Sequence, residues 1–138
     1  MTDERAFLEA AYRLAARSLV VFLHEHARPA PGEERFAAAL ARQAELERDH
    51  ALEIAEILEE RGVALEPGDF PESFAGLRAV ALASAVEHVV RDLRSQRDEL
   101  ERIFALFRGD VTAETLNAIV SLRDERIRHL VFWESVER

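Results

Sequence analysis

Two histidines and two carboxylates stand where amphipathic helices would turn toward their cores. Glu47 and His50 are three residues apart, so both side chains would lie on one face of a helix. On a helical wheel, Glu47 falls within the apolar stripe formed by Leu40, Ile54 and Leu58. A carboxylate that enters an apolar core must be paired, metal-bound or protonated, because burying a bare charge is very costly. This stretch therefore indicates a site.

Polar side chains also interrupt the inner faces of two later segments. Asp92 and Gln96 fall on the apolar stripe of the third predicted helix, and Arg126 and His129 fall on that of the last. Residues equidistant from the turn of a helical hairpin share a level, so His129 is expected beside Asp92. Counting from the first turn likewise places Glu47 level with residues 10–13. The sequence therefore predicts one polar layer near the middle of the molecule.

The predicted layer has the donor types of a metal site. Imidazole nitrogens and carboxylate oxygens suit iron, manganese or zinc. The candidate ligands are Glu47, His50, Asp92 and His129. Arg126 adds a positive charge that cannot be titrated away, so it would tune the charge of the site or repel an ion. The open alternatives are a single metal ion, or no metal and a salt-bridge network in which Arg126 holds Glu47 and Asp92.

The composition excludes several other kinds of site. The chain has no cysteine, which rules out a disulfide framework, a thiolate metal site and a thiol nucleophile. Its formal net charge of −9 argues against binding nucleic acid or anionic lipid through a basic surface. No apolar run approaches a membrane span and no secretion signal is evident, so a cytoplasmic protein is expected. No nucleophile triad or phosphate-binding loop is present, and enzyme status stays open.

The chain has the composition of an all-α protein. Alanine, leucine, glutamate and arginine dominate, with only five glycines and four prolines among 138 residues. This length is typical of a single domain, taken as residues 1–138. Four long helical segments are predicted over about 3–27, 33–61 and 73–107, and from a tight corner at 109–112 to the C-terminus. Such segments joined by short corners predict a four-helix bundle.

The longest connection, Val63–Pro71, determines the topology of that bundle. If it crosses the full length of the molecule, the second and third helices run parallel. If the third helix starts at Ser73, a simple up-down-up-down arrangement follows more readily. We favour the crossover.

The two halves of the chain resemble each other. Residues 44–52 align with residues 123–131, which matches His50 with His129 and Glu47 with Arg126. Each half would then be one helical hairpin. On these residues the chain resembles the ferritin-like superfamily, which includes ferritins, bacterioferritins and rubrerythrins. The resemblance implies two hairpins, each offering a glutamate from its first helix and a Glu-x-x-His pair from its second.

Several family ligands are absent from this chain, so the resemblance implies a degenerate di-metal site. Leu14 stands where one glutamate is expected and Arg126 where another is, while Asp92 is a shortened substitute. One hypothesis is therefore a rubrerythrin-like protein with a reduced metal site that handles iron or peroxide. The alternative is a non-catalytic dimeric helical bundle that acts through partner contacts, its metal site replaced by a buried arginine–carboxylate network.

Helix one contains an apolar run, Leu19–Leu23, that covers every side of the helix. A helix that is apolar all round is usually buried all round. One face would stay open in a four-helix bundle, so the sequence predicts a homodimer, or a larger symmetric assembly, through this run.

Overall fold

Helices account for most of the described chain. The computed structural model describes residues 2–65, 69–79, 81–107 and 111–137. Within these ranges the elements are α1 (Thr2–Ala16), α2 (Leu19–His26), α3 (Glu34–Glu60), α4 (Leu82–Phe107) and α5 (Ala113–Glu137), with a 3-10 segment at Glu72–Ala79 before α4. No strand occurs among them, which confirms the all-α class. Parts of two predicted connections, Pro67–Gly68 and Gly109–Asp110, lie outside the described residues.

The first predicted helix, 3–27, is two helices, so that expectation is wrong. The chain leaves helical geometry at Ser18, whose φ of −72° and ψ of 154° are those of an extended residue. The Ser18 hydroxyl accepts a hydrogen bond from the Val21 N–H at 3.2 Å, and the Asp92 carboxylate accepts one from the Leu19 N–H at 3.0 Å. These two acceptors satisfy N–H groups that a continuous helix would have bonded internally.

Helix α3 matches the second predicted segment closely, and its end has a clear local cause. Gly62 has a φ of +74°, which glycine adopts without steric penalty. The Val63 N–H bonds the Leu58 carbonyl and the Gly62 N–H bonds the Glu59 carbonyl, the paired closure of a Schellman motif. Val63 is buried and so anchors the chain as it leaves the helix.

Helices α3 and α4 run in the same direction. At one end of the molecule, Glu33 before α3 accepts a hydrogen bond from the Ala83 N–H at the start of α4, at 2.7 Å. At the other end, Leu58 near the end of α3 belongs to the same apolar cluster as Ile103 near the end of α4. The connection between α3 and α4 therefore crosses the length of the molecule, as the favoured prediction has it.

The crossover covers α2. Phe70 and Phe74 pack on Phe22, with ring centroids 5.2 and 5.6 Å away. All five residues of the Leu19–Leu23 run are buried within one chain. The predicted interface through this run is therefore wrong, because the face expected to stay open is occupied by the crossover. Homodimerisation itself stays a prediction.

Two apolar clusters fill the interior, and a polar layer lies between them. One cluster is built around α2 and the start of α4, and the other around α1 and the ends of α3 and α4. Along each helix the two clusters are separated by one or more buried or half-buried polar residues. These are Ser18, Glu47, Asp92, Gln96, Arg126 and His129. The fold thus places the predicted site residues at one level.

Candidate functional site

Glu47 and Arg126 form an ion pair at the centre of the molecule. Both side chains are completely buried, and the Arg126 Nη2 atom lies 3.3 Å from the Glu47 Oε1 atom. The second carboxylate oxygen, Oε2, lies 3.2 Å from the His129 Nδ1 atom. Because an ionised carboxylate only accepts hydrogen bonds, His129 carries its proton on Nδ1 and donates it. Helix α3 thus supplies the anion, and α5 supplies a guanidinium that neutralises it and an imidazole that donates a hydrogen bond to it.

The polar layer continues from Arg126 across α4 to the start of α2. The Arg126 Nε–H donates to the Gln96 Oε1 atom at 2.5 Å. The Gln96 amide donates in turn to the Asp92 Oδ2 atom at 2.7 Å, and the Leu19 N–H donates to the same oxygen. Glu47 and Asp92 are therefore linked through the Arg126 guanidinium and the Gln96 amide.

On the other side of α5, His129 faces a second carboxylate. Its Nε2 atom lies 2.8 Å from the Glu125 Oε1 atom, an approach that is close but poorly directed for a hydrogen bond. The Arg128 guanidinium holds the other oxygen of Glu125 at 2.5 Å. The contacts from Asp92 to Arg128 therefore form one continuous polar path from α4 through the core to the surface of α5.

Charge compensation keeps Glu47 ionised. Burial alone would raise its pKa, but the Arg126 charge and hydrogen bonds from His129 and Ser18 outweigh it, so the pKa is below its usual value. For Asp92 the balance is reversed. Burial raises its pKa despite the hydrogen bonds from the Leu19 N–H and Gln96. The ionised form is thus favoured more strongly at Glu47 than at Asp92.

His50 lies beside this path rather than in it. Its Nδ1 atom is buried and has no hydrogen-bond partner. Burial lowers the pKa of His50, and the charge of Arg126 lowers it further, so the ring is neutral near neutral pH. The sequence placed Glu47 and His50 together on one helix face correctly, but the hydrogen bonds of Glu47 go to α2 and α5.

The arrangement of Glu47, Asp92 and Arg126 does not fit a metal ion. Both oxygens of Glu47 face cationic or N–H groups, and Asp92 accepts two hydrogen bonds through one oxygen. Arg126 brings a permanent positive charge within ion-pair distance of the carboxylate that would have to bind the metal. Within the described residues, no group of three or more histidine, aspartate or glutamate side chains is arranged to hold an ion.

A cavity connects this layer to the surface. It has a volume of about 350 Å³ and lies between α1, the crossover and α4. Asp92 and Gln96 line it from inside, and Arg13, Arg17 and Glu99 lie nearer its mouth. Solvent can therefore approach the Asp92 end of the polar path, while Glu47 and Arg126 stay enclosed.

Sequence reasoning missed Glu125, which contacts His129, and placed the wrong residues of the first predicted helix beside Glu47. Ser18, rather than residues 10–13, bonds Glu47. Glu125 was missed because it lies at the edge of the inner stripe, although its spacing of four residues from His129 is a usable signal.

No protein family, curated protein or solved structure was found to match this chain. Among the described helices, none combines the length and apolar character that a bilayer crossing requires.

Proposed function

We propose that this protein is a non-catalytic helical-bundle interaction protein, in which a buried arginine–carboxylate network stands where a metal centre is expected. The observation that carries the proposal is the fully buried contact between Arg126 and Glu47. A guanidinium in this position satisfies the charge that a divalent ion would otherwise balance. The network would then fix which faces of α3, α4 and α5 meet, because any slip of register would leave a charge buried and unpaired.

The proposal extends to the architecture. Parallel α3 and α4, joined by a connection that crosses the molecule, support a ferritin-like four-helix bundle in which α1 and α2 together form the first helix. Three contacts between helices support this arrangement: Glu33 joins the start of α3 to α4, Phe104 joins α4 to α1, and Arg126 joins α5 to α4. The rubrerythrin-like alternative with a resident iron, manganese or zinc ion stays a prediction, and the same experiment decides between the two.

Metal content separates the two hypotheses. Protein purified without a histidine tag is incubated with iron(II), manganese(II) or zinc(II) and freed of unbound ion. Its metal content is then measured by inductively coupled plasma mass spectrometry. We expect less than about a tenth of an equivalent of each metal, because both Glu47 oxygens are engaged and the Arg126 charge lies beside them. Binding of about one equivalent that disappears in His129→Ala, with the helical circular dichroism retained, would overturn the proposal.

A matched control covers adventitious binding. His24 and His26 are exposed, lie at the end of α2 and belong to neither hypothesis. If a small amount of metal is lost in His24→Ala/His26→Ala and kept in His129→Ala, it was bound at the surface and the proposal stands.

A further inference from the structure

The outer face of α3 carries charges of opposite sign in its two halves. Residues that recur every three or four positions stand on one face of a helix. On the α3 face that adjoins α5, this spacing selects two arginines in the first half and four acidic residues in the second. They are Arg35, Arg42, Asp49, Glu53, Glu56 and Glu60, with Ala39 between the two arginines and Leu46 between Arg42 and Asp49. All six charged residues are exposed.

Within the part of the chain that the structure describes, these charges have no ion-pair partner. Across the described residues, none of the six takes part in an ion pair or a side-chain hydrogen bond, although Arg48 and Arg61 of the same region both pair with acids elsewhere. The unpaired arginines and acids of α3 are therefore free to meet a partner.

Apolar surface adjoins the same face. A groove of about 720 Å³ runs between the start of α3 and the end of α5, lined by Phe36, Ala39, Phe132 and Val136 and flanked by Arg35 and Arg42. Leu46, further along α3, and Phe132, on α5, are each 39% exposed. The face thus places partly exposed apolar side chains beside charged ones, and in protein interfaces charged residues of this kind belong to the polar rim.

We infer that this face binds a second copy of the chain, with the two α3 helices antiparallel about a two-fold axis. The inference rests on the proposed function and names its partner. The charge pattern selects the occupant because it is self-complementary. Arg42 and Glu53 are equally distant from the point between residues 47 and 48, and so are Arg35 and Glu60. A two-fold axis at that point brings each arginine opposite an acid of the other copy.

Symmetry doubles these contacts. A two-fold interface uses the same patch on both subunits, so the Arg42–Glu53 and Arg35–Glu60 pairings each occur twice. The two Leu46 side chains would lie near the axis, with Phe132 at the border of the contact. A parallel arrangement would instead set arginine against arginine and acid against acid, which complementarity of charge disfavours.

The expected dimer is weak and sensitive to salt. Exposed ion pairs each contribute little, and added salt screens them. We therefore expect a monomer–dimer equilibrium of the full chain in about 50 mM sodium chloride that shifts toward monomer in about 0.5 M. Sedimentation velocity over a range of protein concentrations measures the dimer dissociation constant at each salt concentration. A chain that is monomeric at every concentration in low salt would overturn the inference.

Charge reversal tests the pairing itself. Arg42→Glu and Glu53→Arg should each weaken dimerisation about tenfold, because each sets like charges together at two symmetry-related places. The double variant Arg42→Glu/Glu53→Arg should return to within about threefold of the original constant, since opposite charges meet again. A double variant as weak as either single variant, or single variants that dimerise normally, would overturn the inference.

A matched control carries the same charge changes elsewhere. Arg28 lies in the loop before α3 and Glu101 lies on α4, and both are exposed without an ion pair in the described part of the chain. Arg28→Glu/Glu101→Arg should leave the dimer unchanged, and a loss of association there would count against a specific α3 interface. Absence of a dimer together with absence of bound metal would remove this interface and leave the account of the buried layer intact. Metal uptake together with a normal dimer would refute the account of the buried layer and leave this interface intact.

Discussion

Arg126 places a permanent positive charge in the centre of the molecule, beside a carboxylate that is equally buried. Removing two charges from water costs free energy that their attraction repays only in part. The pair thus adds little net stability to the fold, but any arrangement that separates its two members is strongly destabilised. This asymmetry explains how one polar layer can determine the packing of helices whose other core residues are mostly apolar.

Substitutions at this pair should reveal the asymmetry. Arg126→Met is expected to lower the free energy of unfolding by about 3–5 kcal/mol, because it leaves the Glu47 charge buried and uncompensated. Glu47→Leu/Arg126→Met should recover most of that loss, since an apolar pair needs no compensation. Urea denaturation near neutral pH measures both. Arg128→Met is the control, because Arg128 is exposed and its substitution should change the free energy of unfolding far less than Arg126→Met does.

A double variant no more stable than Arg126→Met would contradict this account of the pair.

The inward placement of Glu47 and Arg126 could be predicted because helical periodicity assigns each residue to a face without knowledge of its neighbours. Which partner each polar group takes could not be predicted in the same way. The hydrogen bond from Arg126 to Gln96 depends on the rotation and level of α4, which long-range packing decides.

Helix ends depend on side chains from other helices as well as on local sequence. Glu4 of α1 accepts hydrogen bonds from the Thr112 N–H and hydroxyl just before α5, at 3.1 and 2.9 Å. The same carboxylate lies 3.1 Å from Arg61 at the end of α3. Burial would raise the pKa of Glu4, but hydrogen bonds from Thr115, Thr112 and Arg61 lower it to about 2. One ionised carboxylate therefore joins three helices at one end of the molecule.

The pH dependence of stability should report this junction. A carboxyl with a folded pKa of about 2 and an ordinary value of 4.5 stabilises the fold above pH 4.5, and this contribution disappears as the pH falls toward 2. Glu4→Gln should therefore be less stable than the parent by about 2 kcal/mol near neutral pH, and the difference should shrink in acid. Urea denaturation at several pH values measures it.

Glu9→Gln provides the comparison, because Glu9 lies on the same helix in surface ion pairs with Arg5 and Arg13. Its stability curve should run close to that of the parent at all pH values. If the Glu4→Gln and parent curves stay equally far apart between neutral pH and pH 2, the junction does not depend on the charge of Glu4.

Helix boundaries were predictable where the chain supplies its own stop signal. Gly62 ended α3 in the sequence and in the structure, because a positive φ favours glycine. The break at Ser18 was not predictable from local sequence, since serine and Arg17 are tolerated within helices. The acceptor that stabilises the break is Asp92, which is distant in the sequence and reaches the Leu19 N–H only through packing of α4.

The crossover changes which surface the whole molecule presents. Periodicity showed correctly that Leu19–Leu23 is apolar on all sides, and burial of the run follows from that. What covers the run could not be read from the run itself. Phe70 and Phe74 belong to a segment whose short 3-10 turns carry little helical signal, and their contact with Phe22 depends on the path of the crossover.

Two glutamate substitutions should therefore have opposite consequences. Val20 is fully buried, so Val20→Glu would place a carboxylate in the core without a partner and should destabilise the fold by more than about 3 kcal/mol. Leu46 is exposed, so Leu46→Glu should leave the melting temperature nearly unchanged. It should weaken dimerisation, because it adds an acid close to Asp49 of the other copy. Thermal melting followed by circular dichroism, paired with sedimentation velocity, separates loss of fold from loss of association. A Val20→Glu protein that melts like the parent yet no longer associates would return the interface to α2 and refute the assignment to α3.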